Sequence, residues 1–195
     1  MALNGRSAAG LSWLQLHVAP PSSAQTDAIF AATRERLGYV RNQQRVLAHK
    51  PALLVAVTGL GDTVVRDEQG ALSARERELI ALVVSVENRC EPCVFGHAAA
   101  LRALDAEPEW VATIEVNYRR ADLTARERAL ADYAIKVTRG ASEIGPKDLD
   151  LLRDSGVPEP GILEAASVAA YFNFSNRLNS ALGIKANVEA LQAHR

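Results

Sequence analysis

Hydrophobic and polar positions recur along this chain with the period of a helix, and the breaks between periodic stretches carry helix punctuation. SSAQTDAIFAATRERLG opens on Ser and Asp capping candidates and ends at Gly38, in the place of a C′ glycine. KPALLVAVTGLG puts Pro51 where a first-turn proline belongs. LSARERELIALVVS begins with a capping box, the Ser73 hydroxyl capping the helix while Glu76 reaches back. LTARERALADYAIKVTRG opens the same way with Thr124 and Glu127 and stops at Gly140. CEPCVFGHAAALRAL has apolar residues at helical spacing, and GPKDLDLLRDSG predicts a short helix between Pro146 and Gly156. PGILEAASVAAYFNFSNRLNSALG is nearly all apolar, the pattern of a helix buried on most sides. The β-branched runs TIEV and TVV are too short to be convincing strands. The expected architecture is all-α, a single-domain multi-helix bundle.

LSARERELI and LTARERALA align at an offset of 51 residues. A capping box followed by Arg-Glu-Arg suits any helix start, and the residues after the two copies match poorly, so two good helix starts is the simpler reading. Glu78 in the first copy corresponds to Ala129 in the second, so a helix start of this kind does not itself require a carboxylate there.

Composition narrows the function classes. Twenty-two basic residues against 23 acidic ones leave a net charge of −1, too weak a field to draw in nucleic acid or an anionic membrane. The N-terminal stretch has one arginine and no sustained apolar run, unlike a signal peptide, and no apolar stretch reaches the length of a membrane span. The expected location is therefore the cytoplasm. In a reducing compartment two cysteines are not expected to be a structural staple, which leaves their CxxC spacing to be explained.

Both cysteines fall in ENRCEPCVFGH, residues 87 to 97. Cys93 and His97 are i and i+4 and share a helix face. Proline belongs in a helix's first turn, so Pro92 places Cys90 at or near the N-cap and Cys93 in the opening turn. A non-helical Cys90 can turn towards Cys93, which makes a reversible disulfide sterically reasonable. The free amides of a helix start favour a thiolate, and Glu91 opposes them. If residues 74–86 and 90–104 form an antiparallel helix pair, Glu78 and His97 stand at similar heights on facing helices. A carboxylate bonded to His97 would fix its tautomer and raise its basicity. Cys93, His97 and Glu78 are then nucleophile, base and orienter, with the active site on the helix pair.

Two other readings use the same residues. Cys90, Cys93, His97 and Glu78 could supply zinc ligands, but the segment lacks the distant second pair of a zinc finger, and His17, His49 and His194 form no ligand pair. Alternatively the cysteines are small buried hydrophobes and His97 a satisfied core group. The joint spacing favours redox chemistry over both, with neither metal nor bound cofactor.

CEPCVFGH preceded by RERELIALVVSVEN resembles the alkylhydroperoxidase D-like proteins of the carboxymuconolactone decarboxylase superfamily, and most closely their peroxidase-related subgroup. Their CxxCxxxH signature falls on Cys90, Cys93 and His97, with Glu78 in the upstream catalytic position. Glu87 also satisfies a compact ExxCxxCxxxH pattern, but the facing-helix argument favours Glu78. The likeness runs from about Leu37 to the YFNFSNRLNSALG segment. It implies an all-helical homo-oligomer (dimer, trimer or hexamer) and a cofactor-free peroxidase acting on hydrogen peroxide or organic hydroperoxides. It also implies that Cys93 attacks as a thiolate, Cys90 resolves the sulfenic acid, and His97 and Glu78 relay protons. An external dithiol must then reduce the disulfide, a lipoyl-carrying protein in the best-known members or a thioredoxin-like one. Well-studied members carry a histidine directly before the second cysteine; Pro92 stands there in this chain, so that proton donor is lost. A non-redox decarboxylase- or isomerase-like enzyme using His97 and Glu78, or a disulfide redox sensor, would use the same groups.

Asn173, Asn176 and Arg177 sit among apolar neighbours and are expected to bond to another helix or subunit rather than to line the pocket. His49, before Pro51, is expected to satisfy helix-end carbonyls. Residues 1–20, with Trp13 and several leucines, are expected to form an arm on a neighbouring subunit, leaving 21–195 as the helical domain.

Overall fold

The computed structural model describes residues 10–16, 19–104 and 106–194. Much of the expected 1–20 arm, and His17, therefore lie outside the described residues. The order is α1 (Ala24–Leu37), α2 (Asn42–Leu47), α3 (Pro51–Val65), α4 (Ala74–Glu87), α5 (Glu91–Ala103), α6 (Pro108–Asn117), α7 (Ala125–Gly140), α8 (Pro146–Asp154), α9 (Glu159–Ala181) and α10 (Val188–Gln192). Short 3₁₀ turns follow α6 and α7, and no strand occurs among the described residues. The all-α expectation holds. TVV lies inside α3 and TIEV inside α6, where Val111 and Ile114, one turn apart, face the core. The short helices α2, α6 and α10 have too few periodic positions to stand out in the sequence.

Helix α4 is the centre of the bundle and packs on α5, α7 and α9. Leu79 through Ser85 are buried without a break, as a helix surrounded on all sides requires. Along α9 a buried stripe runs Ile162, Ala165, Val168, Ala169, Phe172, Ser175, Asn176 and Asn179, turning from apolar to polar over its last two turns. A second, smaller core joins α1–α3 through Leu47, Ala48, Leu54 and Val57, with Leu178 of α9 packed against it.

Both capping boxes form. Ser73 accepts from the Glu76 amide and Thr124 from the Glu127 amide, while each glutamate returns to its cap residue's backbone N–H. The two boxes are also tied to each other: Arg75 Nε donates to Glu127 at 2.9 Å, and Arg126 Nε donates to Glu76 at 2.5 Å. Each arginine–glutamate dipeptide of one copy thus pairs with its counterpart in the other, and the repeat is a reciprocal clasp between α4 and α7.

Among the described residues no helix is long and apolar enough to cross a membrane.

Candidate active site

The link between α4 and α5 sets the site. Asn88 closes α4, and Arg89 takes the left-handed conformation at φ 53°. The Arg89 N–H then reaches Val86 O and the Cys90 N–H reaches Ser85 O, both at 3.0 Å, which is a Schellman stop. An arginine thus occupies the place usually given to glycine. The Asn88 side chain fixes the turn to α9, donating to Asn173 Oδ1 at 3.0 Å and Asn176 Oδ1 at 3.1 Å. Asn176 in turn donates to Ser85 Oγ, and Asn173 to Thr138 Oγ1. Both asparagines therefore bond to other helices, and Arg177 folds back onto Asn173.

Chain reversal leaves Cys90 as the N-cap of α5, Pro92 in its first turn and Cys93 just inside. The two cysteines are joined as a disulfide with Cα atoms 5.4 Å apart, within the usual range. Cys90 is 1% exposed and Cys93 7%; only Cys93 of the two lines the large cavity described below. One turn further, His97 Nδ1 lies 2.7 Å from Glu78 Oε2, so the antiparallel pair brings these side chains together across the two helices. The edge of Phe172 packs on the imidazole at 4.3 Å between centroids. Glu87 is elsewhere: Arg139 holds it through two hydrogen bonds of 2.7 and 2.9 Å, which keep its carboxyl below the usual range.

Asn179 is a residue that sequence reasoning missed. Its Nδ2 lies 3.1 Å from Cys93 Sγ and 3.9 Å from Cys90 Sγ. The only sequence signal was its register, i+7 from Phe172 on the buried stripe.

A cavity of about 1110 Å³ opens onto Cys93, His97 and Glu78. It lies between the α1–α3 layer and the bundle, and its wall near the cysteine includes Gly96, Ala100 and Phe172. Arg66 and Tyr171 also line it. Burial lowers the Arg66 guanidinium, with Glu78 and Tyr171 acting the other way, and an ion pair with Asp62 at 3.1 Å holds it in place. The Tyr171 hydroxyl donates to Val57 O, and burial raises its ionisation above the ordinary value. Among the described residues no group of three or more His, Cys, Asp or Glu side chains is arranged to hold a metal ion.

The chain is thus an all-α bundle with a cysteine pair at the start of α5 and a carboxylate–imidazole pair joining α4 to α5, and it is similar to solved proteins of the same fold. An uncharacterized peroxidase-related protein from Silicibacter sp. TM1040 is 35% identical with a TM-score of 0.88, over 95% of this chain and 97% of that one. A second peroxidase-related protein, from Ralstonia eutropha JMP134 and described as an alkylhydroperoxidase AhpD core, is 30% identical with a TM-score of 0.86, over the same 95% and 97%. The debrominase Bmp8, solved with 2,3,4-tribromopyrrole, shares the fold at 19% identity and a TM-score of 0.76, over 91% of this chain and 95% of that one. An uncharacterized protein of Haemophilus influenzae is 37% identical over 71 residues, so the chain spans only 61% of the length of this curated relative and 36% of its own. Residues 51–118, from α3 through α6, match the model of the Carboxymuconolactone decarboxylase family. The chain belongs to that family, on its alkylhydroperoxidase D-like, peroxidase-related side.

Proposed function

We propose that this chain is a thiol-dependent peroxidase that reduces organic hydroperoxides in preference to hydrogen peroxide. The observation that carries this reading is the facing of the cysteine pair. Cys93 opens onto a cavity far larger than hydrogen peroxide needs, beside a hydrogen-bonded His97–Glu78 pair, while Cys90 lies behind it. The Cys93 thiolate attacks the outer peroxide oxygen and the O–O bond breaks. The sulfur becomes a sulfenic acid, and the leaving alkoxide takes a proton relayed by His97 and Glu78 to depart as the alcohol. The Cys90 thiol then attacks the sulfenic sulfur, forming the Cys90–Cys93 disulfide and releasing water. An external dithiol, lipoyl-carrying or thioredoxin-like, returns both thiols and leaves as its own disulfide. Per cycle, one hydroperoxide and one dithiol give one alcohol, one water and one oxidised dithiol. The active form is a homo-oligomer in a reducing compartment.

The test is hydroperoxide consumption with a small-molecule dithiol. Cys93→Ser abolishes it, and Cys90→Ser, given hydroperoxide without the dithiol, stops after one equivalent at the sulfenic acid. Full activity in Cys93→Ser sinks the proposal. A second reading rests on the same His97–Glu78 contact, which faces the cavity and does not itself involve the sulfurs. It is acid–base chemistry of the decarboxylase or isomerase kind, and it requires an activity indifferent to thiol alkylation.

A further inference from the structure

We propose that Asn179 is the hydrogen-bond donor that holds Cys93 as a thiolate once the disulfide is reduced. The inference rests on the redox reading above and assigns that reading a residue on α9.

Helix starts stabilise thiolates through free amides. In α5 that supply is thin. Pro92 has no N–H, and the Cys93 and Val94 amides are both turned back to Cys90 O, at 3.0 and 2.9 Å. The donor comes instead from across the bundle, where the Asn179 amide meets Cys93 Sγ at 3.1 Å. It is 3% exposed, so bulk water does not compete for the sulfur from that side.

Asn176, three residues earlier in α9, shows what a structural asparagine in this helix looks like. Its donor and its acceptor are both engaged, with Ser85 and Asn88, and it ties α9 to α4. Asn179 makes no such tie. Its Oδ1 is buried without a hydrogen-bond partner among the described residues, and its donor end goes to the sulfurs. A buried amide with half its capacity unused is a poor packing element, since an apolar side chain would fill the same space without that cost. It is a good partner for a group that becomes charged, because a bond to an anion is stronger than one to a neutral acceptor. The 3.1 Å against 3.9 Å asymmetry directs it to Cys93, the sulfur that faces the cavity. Asn179 touches the reacting atom and is in that sense catalytic.

The ionisable groups that line the cavity with Cys93 include His97 on α5, Glu78 on α4, Arg66 and Asp62 at the end of α3, Tyr171 on α9, and Lys185 and His194 of the C-terminal segment, and Glu91 stands two residues before Cys93. They are the same in every variant below, and only Asn179→Asp adds a charge of its own, so the uncharged variants isolate the amide.

The experiment follows iodoacetamide alkylation of Cys93 against pH, in reduced protein carrying Cys90→Ser. Asn179→Leu raises the midpoint by about one pH unit and slows alkylation at neutral pH about tenfold. Asn179→Asp, nearly the same shape, raises it further because a carboxylate replaces the donor. Asn179→Ser, which keeps a short donor, raises it less. Thermal unfolding identifies any variant that fails to fold, and Asn179→Ala, which only removes the amide, keeps the test open if Leu does so. A midpoint unchanged in the uncharged, donor-free variant that folds overturns the assignment. If the variants show the midpoint difference while the wild-type protein consumes no hydroperoxide, the peroxidase reading is overturned and Asn179 stands as the thiolate donor.

Discussion

Arg89 shows how much of the site depends on one backbone angle. Its left-handed φ of 53° turns the chain between α4 and α5 and delivers Cys90 to the N-cap. A β-carbon in that region costs roughly 1–2 kcal/mol, and glycine avoids that strain while losing roughly 0.5–1 kcal/mol more chain entropy on folding. Arg89 is exposed, so little packing is lost with its side chain. Arg89→Gly is therefore expected to stabilise the protein by about 0.5–1 kcal/mol, read as a higher urea midpoint at unchanged slope. A lower midpoint means that the arginine side chain contributes something the backbone argument omits. Legibility at this scale depended on whether a residue has a local signature. Pro92 fixed the place of both cysteines because proline has a single position in a helix start. Arg89 has no such mark, since arginine gives no sign of positive φ. Asn179 was missed for a related reason: a polar residue on a buried stripe announces that it needs a partner, not which one.

At the scale of elements, helix periodicity and caps mark the long helices, and an antiparallel α4–α5 pair places Glu78 opposite His97 from the sequence alone. The Arg-Glu-Arg repeat was a harder case. Helix starts of this kind recur for local reasons, and nothing in either copy says that they meet. In the fold they clasp, and the clasp is titratable. Burial pushes the Glu76 and Glu127 carboxyls up, but hydrogen bonds from Arg126 and Ser73 to the first, and from Arg75 and Thr124 to the second, outweigh it. Both are held below their ordinary value of 4.5. A depressed carboxylate adds stability that is complete above the unfolded-state value and disappears as pH falls through the folded-state one. The α4–α7 contact is accordingly expected to weaken below about pH 4.5. Glu76→Gln should cost about 1–2 kcal/mol at neutral pH and much less in acid, so the two stability curves converge as pH falls. A gap between wild type and variant that stays constant down to the acid limb rules the clasp out as the cause.

For the whole molecule, the two helical layers make the cavity. The bundle supplies Cys93, His97 and Glu78, the α1–α3 layer supplies another wall, and α9 runs between them with Phe172 facing one and Leu178 the other. Sequence alone did not show this space, because the residues lining it come from both ends of the chain and share no local pattern. The N-terminal segment shows the same long-range closure. Trp13 N–H donates to Leu182 O and Lys185 N–H to Leu11 O, each at 2.9 Å, so residues 11–13 pair with the exit of α9 in their own chain. The Trp13 ring lies against Gly183, whose φ of 57° suits glycine and whose bare Cα leaves room for the indole. Trp13 as a whole is still 75% exposed, a large apolar residue presented outwards. Two roles for the arm are thereby separable in one experiment. Deleting residues 1–20 removes the pairing with α9 and is expected to cost about 1–2 kcal/mol, a fall of roughly 2–8 °C in Tm for a chain of this size. If the exposed face of Trp13 also seats on a second copy, the same deletion reduces oligomer size in light scattering, and Trp13→Ala does so with a smaller change in Tm. Unchanged size in both variants restricts the arm to its own chain, and unchanged Tm in the deletion removes even that role.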